Sequence, residues 1–174
     1  MGKMKTLQQY INEDFRISHK TKINECFVYK LNEHSISKQI SIFGSNWEQF
    51  DDYKDKVYDD KNRNIKLTDE GLTKNEYSKG VEYKFYIKDI DDVTNCNGMF
   101  FNCDLISVPL FNTSHVTDMN AMFDSCTQLK HVPMFNISDK TNISWLFSDC
   151  DELDEETKQV WSKIYDFNTQ NRYK

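Results

Sequence analysis

The spacing of apolar positions changes along this chain, and each change predicts a different element. In residues 5–16, Leu7, Tyr10, Ile11 and Phe15 fall at helical spacing behind Thr6, a residue suited to capping, and predict a short amphipathic helix. Residues 22–31 alternate imperfectly and read as a strand. Ser45 and Glu48 have the spacing of a capping box, which predicts a helix running to about Asp59 with Phe50, Tyr53 and Val57 on one face. Residues 60–80 carry few apolar side chains and read as a long loop or short turns. From Val81 to Ile90 the pattern alternates through Val81, Tyr83, Phe85 and Ile87, which predicts a strand.

Beyond residue 90 the pattern repeats. Met99-Phe100 returns as Met122-Phe123 and as Leu146-Phe147, and Cys103 returns as Cys126 and Cys150. Cys96, Met119 and Ile143 share a further column, so each repeat presents apolar residues at i, i+3 and i+4, the spacing of one face of a short helical turn. The segments from Leu105 to Val108 and from Leu129 to Val132 read as short extended pieces, ended by Pro109 and Pro133. Asn112 and Asn136 follow at matched positions, where a buried Asn bonding the neighbouring repeat would tie the turns together. The third repeat decays, and residues 154–166 predict a helix with an acidic first turn and the stripe Val160, Trp161, Ile164, Tyr165. A period near 24 is the mark of a solenoid. The fold expected is therefore α+β, a short solenoid of about three rungs. Its parts are an N-terminal helix at 1–17, an α/β capping region at 18–89, repeats at 90–153 and a capping helix with tail at 154–174.

Composition narrows the function. A net charge of -6, with Lys and Asp interleaved, argues against nucleic acid as partner. No apolar run approaches the ~20 residues of a membrane-spanning helix. The N-terminus has lysines but no apolar core, so no secretory signal is expected. Three of the five cysteines sit at the repeat period and read as buried thiols, reduced in a cytoplasm-like compartment. The closest two, Cys96 and Cys103, are seven apart, too far for a zinc pair. The four histidines form no ligand pattern, and a Cys–His pair such as Cys126 with His131 or His115 would need a thiol that the repeat column should bury. No phosphate-cradling motif is present. No catalytic, metal-binding or cofactor-binding residue is expected. Three Asn-x-Ser triplets start at Asn112, Asn136 and Asn142, and the repeat is the simpler cause of them.

The segment from Phe111 to Leu129, Phe-Asn-Thr-Ser-His-Val-Thr-Asp-Met-Asn-Ala-Met-Phe-Asp-Ser-Cys-Thr-Gln-Leu, closely resembles the BspA-type leucine-rich repeat of bacterial surface and phage proteins. The resemblance covers about 65 residues. It implies a leucine-rich-repeat-like fold and an interaction surface, and no catalysis. Residues 4–13, Met-Lys-Thr-Leu-Gln-Gln-Tyr-Ile-Asn-Glu, resemble the capsid-targeting peptide of tailed-phage internal head proteins, which implies proteolytic processing after Glu13.

Large aromatics outside the repeat columns are the remaining candidates for function. Trp145 stands where earlier repeats have Gly98 and Ala121, and Tyr83, Tyr86 and Trp47 lie in the first half. Aromatics are enriched at interface cores, so Trp145, Tyr83 and Tyr86 are the candidate contact residues. The expected function is a non-enzymatic interaction or structural protein, phage-encoded and virion-associated, located in the virion or the host cytoplasm, with a virion subunit or host protein as partner. A phage inhibitor of a host defence protein and a bacterial surface adhesion module are the alternatives.

Overall fold

Strand β1, Phe27–Lys30, alternates large side chains and lies at the centre of the fold. The computed structural model describes residues 26–44 and 47–167. The expected helix over 5–16, the Ser45 cap, the Trp47 side chain and Glu13 lie outside the described residues. The expected helix to Asp59 is replaced by 3-10 turns over Trp47–Tyr53, kinked at Phe50, and by strand β2, Val57–Asp59. Val57 leaves the helical path because pairing with Ile87 of β3, Glu82–Ile87, buries it completely. The fourth strand, β4, is Leu105–Ser107, and the helix α1 is Glu155–Trp161.

The expectation of a leucine-rich-repeat-like solenoid with one strand per rung is corrected. The sheet is four-stranded, of order β2-β3-β1-β4, and every pairing in it is antiparallel. Among the described residues only the first repeat supplies a strand. At the place equivalent to β4 the second repeat has only an isolated parallel bridge, Ser107 to His131. There Lys130 N and His131 N both donate to Ile106 O, at 2.9 and 3.4 Å. Two successive donors on one carbonyl break the one-to-one register that a ladder needs.

The repeats stack instead as hydrogen-bonded turns. Cys96, Gly98, Phe100 and Asn102 donate N–H bonds to the carbonyls of Asp118, Asn120, Met122 and Asp124. Met119, Ala121, Phe123 and Ser125 donate in the same way to Asn142, Ser144, Leu146 and Ser148. The side-chain ties between repeats differ from those expected. Asn112 and Asn136 are exposed. The buried hydroxyls of Thr113 and Thr141 make the ties, donating to Asn136 O at 2.8 Å and Val116 O at 3.1 Å.

Turn-on-turn stacking aligns the phenylalanines. Phe50, Phe43, Phe100, Phe123, Phe147 and Phe167 form one stacked column with successive centroids 5.5, 6.3, 5.7, 5.8 and 5.8 Å apart. A second column runs beside it through Phe27, Phe111, Phe135 and Trp161, at 6.1, 5.0 and 5.9 Å. Gly44 closes the first repeat, donating N–H to Met99 O at 2.8 Å. At the other end α1 covers the backbone beyond β4. Lys130 O accepts from Asp154 N, Val132 N donates to the Thr157 hydroxyl, and the Trp161 indole donates to Val132 O. On the opposite edge Val57 O accepts from Ile65 N, and Asp59 N donates to Arg63 O. Both flanks of the sheet are thus covered by the chain itself, which guards against edge pairing with other chains.

Candidate interaction surface

Each repeat opens on an Asx turn. The side chains of Asn95, Asp118 and Asn142 accept from the N–H two residues on, in Asn97, Asn120 and Ser144, at 2.8, 2.9 and 3.1 Å. Parallel bridges place Asn95 beside Asp118 and Asp118 beside Asn142. The Asp118 carboxylate accepts from the amides of Asn97 and Asn142 at 3.3 and 3.1 Å. The result is a row of short polar side chains across the repeats. The sequence reading passed over this row because it followed apolar columns. Its signal is the return of Asn95 as Asp118 and Asn142 at the repeat steps, and that return accounts structurally for the Asn142 triplet.

After each Asx turn the backbone enters the left-handed region. Gly98, Ala121 and Trp145 have φ of 60, 51 and 59°, and Asn102, Ser125 and Asp149 have φ of 55, 65 and 54°. These two turns per repeat aim alternate N–H groups at the next repeat. Left-handed backbone costs an L side chain roughly 1–2 kcal/mol and glycine almost nothing. Gly98 suits its position, Ala121 tolerates it, and Trp145 adopts it with the largest side chain available. Trp145 is half-buried and lies outside the apolar core cluster, at the end of a column whose other members are Gly and Ala.

The other two candidates lie on strand β3. Tyr83 packs edge-on against Tyr77 at 4.6 Å, and its hydroxyl accepts from Ser78 N, so it is committed to the fold. Tyr86 is exposed on the opposite face of β3 and pairs with Tyr58 of β2.

The thiols are placed for packing. All five are buried. Cys126 Sγ donates to Phe100 O at 2.9 Å and Cys150 Sγ to Phe123 O at 3.0 Å, each reaching back one repeat. Burial pushes the Cys96 and Cys126 thiols up to about 12 and those of Cys103 and Cys150 well above their ordinary value. His131 Nδ1 faces Asp154 Oδ2 at 3.3 Å rather than a thiol. Among the described residues no group of three or more His, Cys, Asp or Glu is arranged to hold a metal ion. No helix among them is long and apolar enough to cross a membrane.

A family model described as "Mycoplasma protein of unknown function, DUF285" matches residues 77–172, a span that contains the whole repeat segment. No curated protein and no solved structure matches the chain.

Proposed function

The chain belongs to the DUF285 family, and from that premise we propose that it is a non-enzymatic protein-binding module whose contact surface is the turn face of the repeats, anchored by Trp145. The observation that carries this reading is the strained backbone of Trp145. A bulky residue held at positive φ, where two preceding repeats use Gly and Ala, carries about 1–2 kcal/mol of backbone strain at a half-buried position. Asn142 and Ser144, which form the Asx turn of the same repeat, directly precede it in the chain. Large aromatics are enriched among interface hot spots. The buried, poorly ionised thiols argue against a thiol-based activity.

The partner on this reading is a protein. The likeness of residues 4–13 to a capsid-targeting peptide supports a virion subunit, and mass spectrometry of purified phage particles tests it. Peptides of this chain in the particles are expected, and their absence removes the virion assignment. Trp145→Gly tests the surface itself. Removing the side chain relieves the left-handed strain, so unfolding stability should hold or rise by up to ~1 kcal/mol while partner capture is lost. A structural cap would behave oppositely, losing several kcal/mol on deletion of a packed Trp.

A further inference from the structure

We propose that Asn97-Gly98 is a self-modification site, gated by the stacking of the first repeat on the second. It is the one Asn-Gly pair in the chain. Glycine has no Cβ to obstruct its amide nitrogen, so that nitrogen can reach the carbonyl carbon of the preceding side chain. In the reaction the Gly98 nitrogen loses its proton to solvent base and attacks Asn97 Cγ. An N–Cγ bond forms, the Cγ–Nδ2 bond breaks, and the side-chain nitrogen leaves as ammonia. Water then opens the cyclic imide at either carbonyl and leaves aspartate or isoaspartate at position 97. Nothing is oxidised or reduced, and water is the only co-reactant.

The stacked fold commits both reacting groups elsewhere. Gly98 is buried, and its N–H donates to Asn120 O at 2.9 Å. The Asn97 side-chain amide donates to Asp118 Oδ2 at 3.3 Å, and Asn97 N donates to Asn95 Oδ1 at 2.8 Å. The Gly98 carbonyl is held as well: it accepts from Phe101 N at 3.0 Å, and Gly44 packs against it. A nitrogen whose proton is engaged by Asn120 O is neither free to ionise nor free to turn onto Cγ, and the attack needs close, aligned atoms. The reaction therefore waits for the turn over 95–102 to open away from the second repeat. The product does not restack. Aspartate at position 97 sets a carboxylate against Asp118 Oδ2, where an amide had donated. Isoaspartate adds a backbone carbon ahead of Gly98, which throws Gly98, Phe100 and Asn102 out of phase with the carbonyls of Asn120, Met122 and Asp124. One opening is thus made permanent, in the row of Asx turns.

The test follows the full chain in mildly alkaline buffer by peptide mass spectrometry, with isoaspartate resolved from aspartate by chromatography. Modification at position 97 is expected to run about tenfold faster or more in urea than in native buffer. In urea, Gly98→Ala should slow it about tenfold, because the added methyl group obstructs the nitrogen. In native buffer Asp118→Ala should speed it several-fold, in step with hydrogen exchange at the Gly98 amide. Urea below the unfolding transition makes the same comparison on the parent without a variant. The isolated product, returned to native buffer, should show rapid exchange at Gly98 and Phe100 while the Ser162 amide of α1 stays protected. Equal rates in the folded and unfolded chain, or rates that do not follow Gly98 exchange, overturn the gating. Native protection of Gly98 in the product overturns the permanence, and an unreactive Asn97 in urea overturns the site itself.

Discussion

Two glycines separate dihedral strain from steric exclusion at single positions. Gly98 has φ 60°, so the left-handed backbone alone should make Gly98→Ala cost about 1 kcal/mol. A Cβ on Gly44 would stand 2.3 Å from Phe101 N and 2.6 Å from Phe101 O, both rigid backbone atoms of the first repeat. Gly44→Ala should therefore cost more, about 1–3 kcal/mol or above, in urea unfolding. The thiols give a second residue-scale prediction. With burial raising the Cys96 and Cys126 pKa values to about 12 and those of Cys103 and Cys150 well above the ordinary thiol value, the repeat cysteines should resist iodoacetamide at about pH 9 and react at once in denaturant. Labelling of any of them in the folded chain would reopen a thiol chemistry. The buried cysteine column was legible in the sequence. Two of the left-handed positions were not, because Trp145 and Ser125 carry no dihedral preference that would betray them.

Helix α1 and strand β3 are the elements read most closely from the chain, and both are held by local rules. β3 follows from simple alternation. α1 follows from Asp154, whose carboxylate accepts from Thr157 N at 2.7 Å, and from the acidic turn behind it. Asp154→Ala should cost about 1 kcal/mol. The pH dependence has a definite sign. Burial raises the Asp154 pKa, but the bonds from Thr157 and the nearby His131 outweigh it, so the folded value lies below the usual carboxylate range. Its contribution is whole above that range, and is lost as pH falls through the lower folded value. Acid titrations of stability for the parent and Asp154→Ala should converge there. Trp161→Phe keeps the ring but leaves Val132 O without its indole donor, and should cost about 1–3 kcal/mol. Less legible was the pairing of β4 with β1, because contacts across more than seventy residues leave no trace in local periodicity. The helix expected through Asp59 fails for the same reason: Val57 follows its long-range partner Ile87.

At the scale of the molecule, the two aromatic columns join regions that the sequence divided into separate segments. Phe100, Phe123 and Phe147 were recognisable as one column from their spacing. Phe43, Phe50 and Phe167 join it from outside the repeats, and only the folded chain reveals that. The repeat period was read as a solenoid, and that reading gives way to an antiparallel sheet shared between the first half and the first repeat. Phe123 sits at mid-column between two parallel rings. Phe123→Ala should cost about 3–5 kcal/mol and lower a single cooperative transition, with no separate melting of the two halves. Function, on this account, rests on the departure from the repeat at Trp145. The most direct measurement is urea unfolding of Trp145→Gly beside partner capture by the same protein, with Tyr86→Ala as the comparison. The account predicts parent-like or slightly higher stability, loss of capture for Trp145→Gly, and retained capture for Tyr86→Ala. Several kcal/mol of lost stability in Trp145→Gly, or unchanged capture, would contradict it.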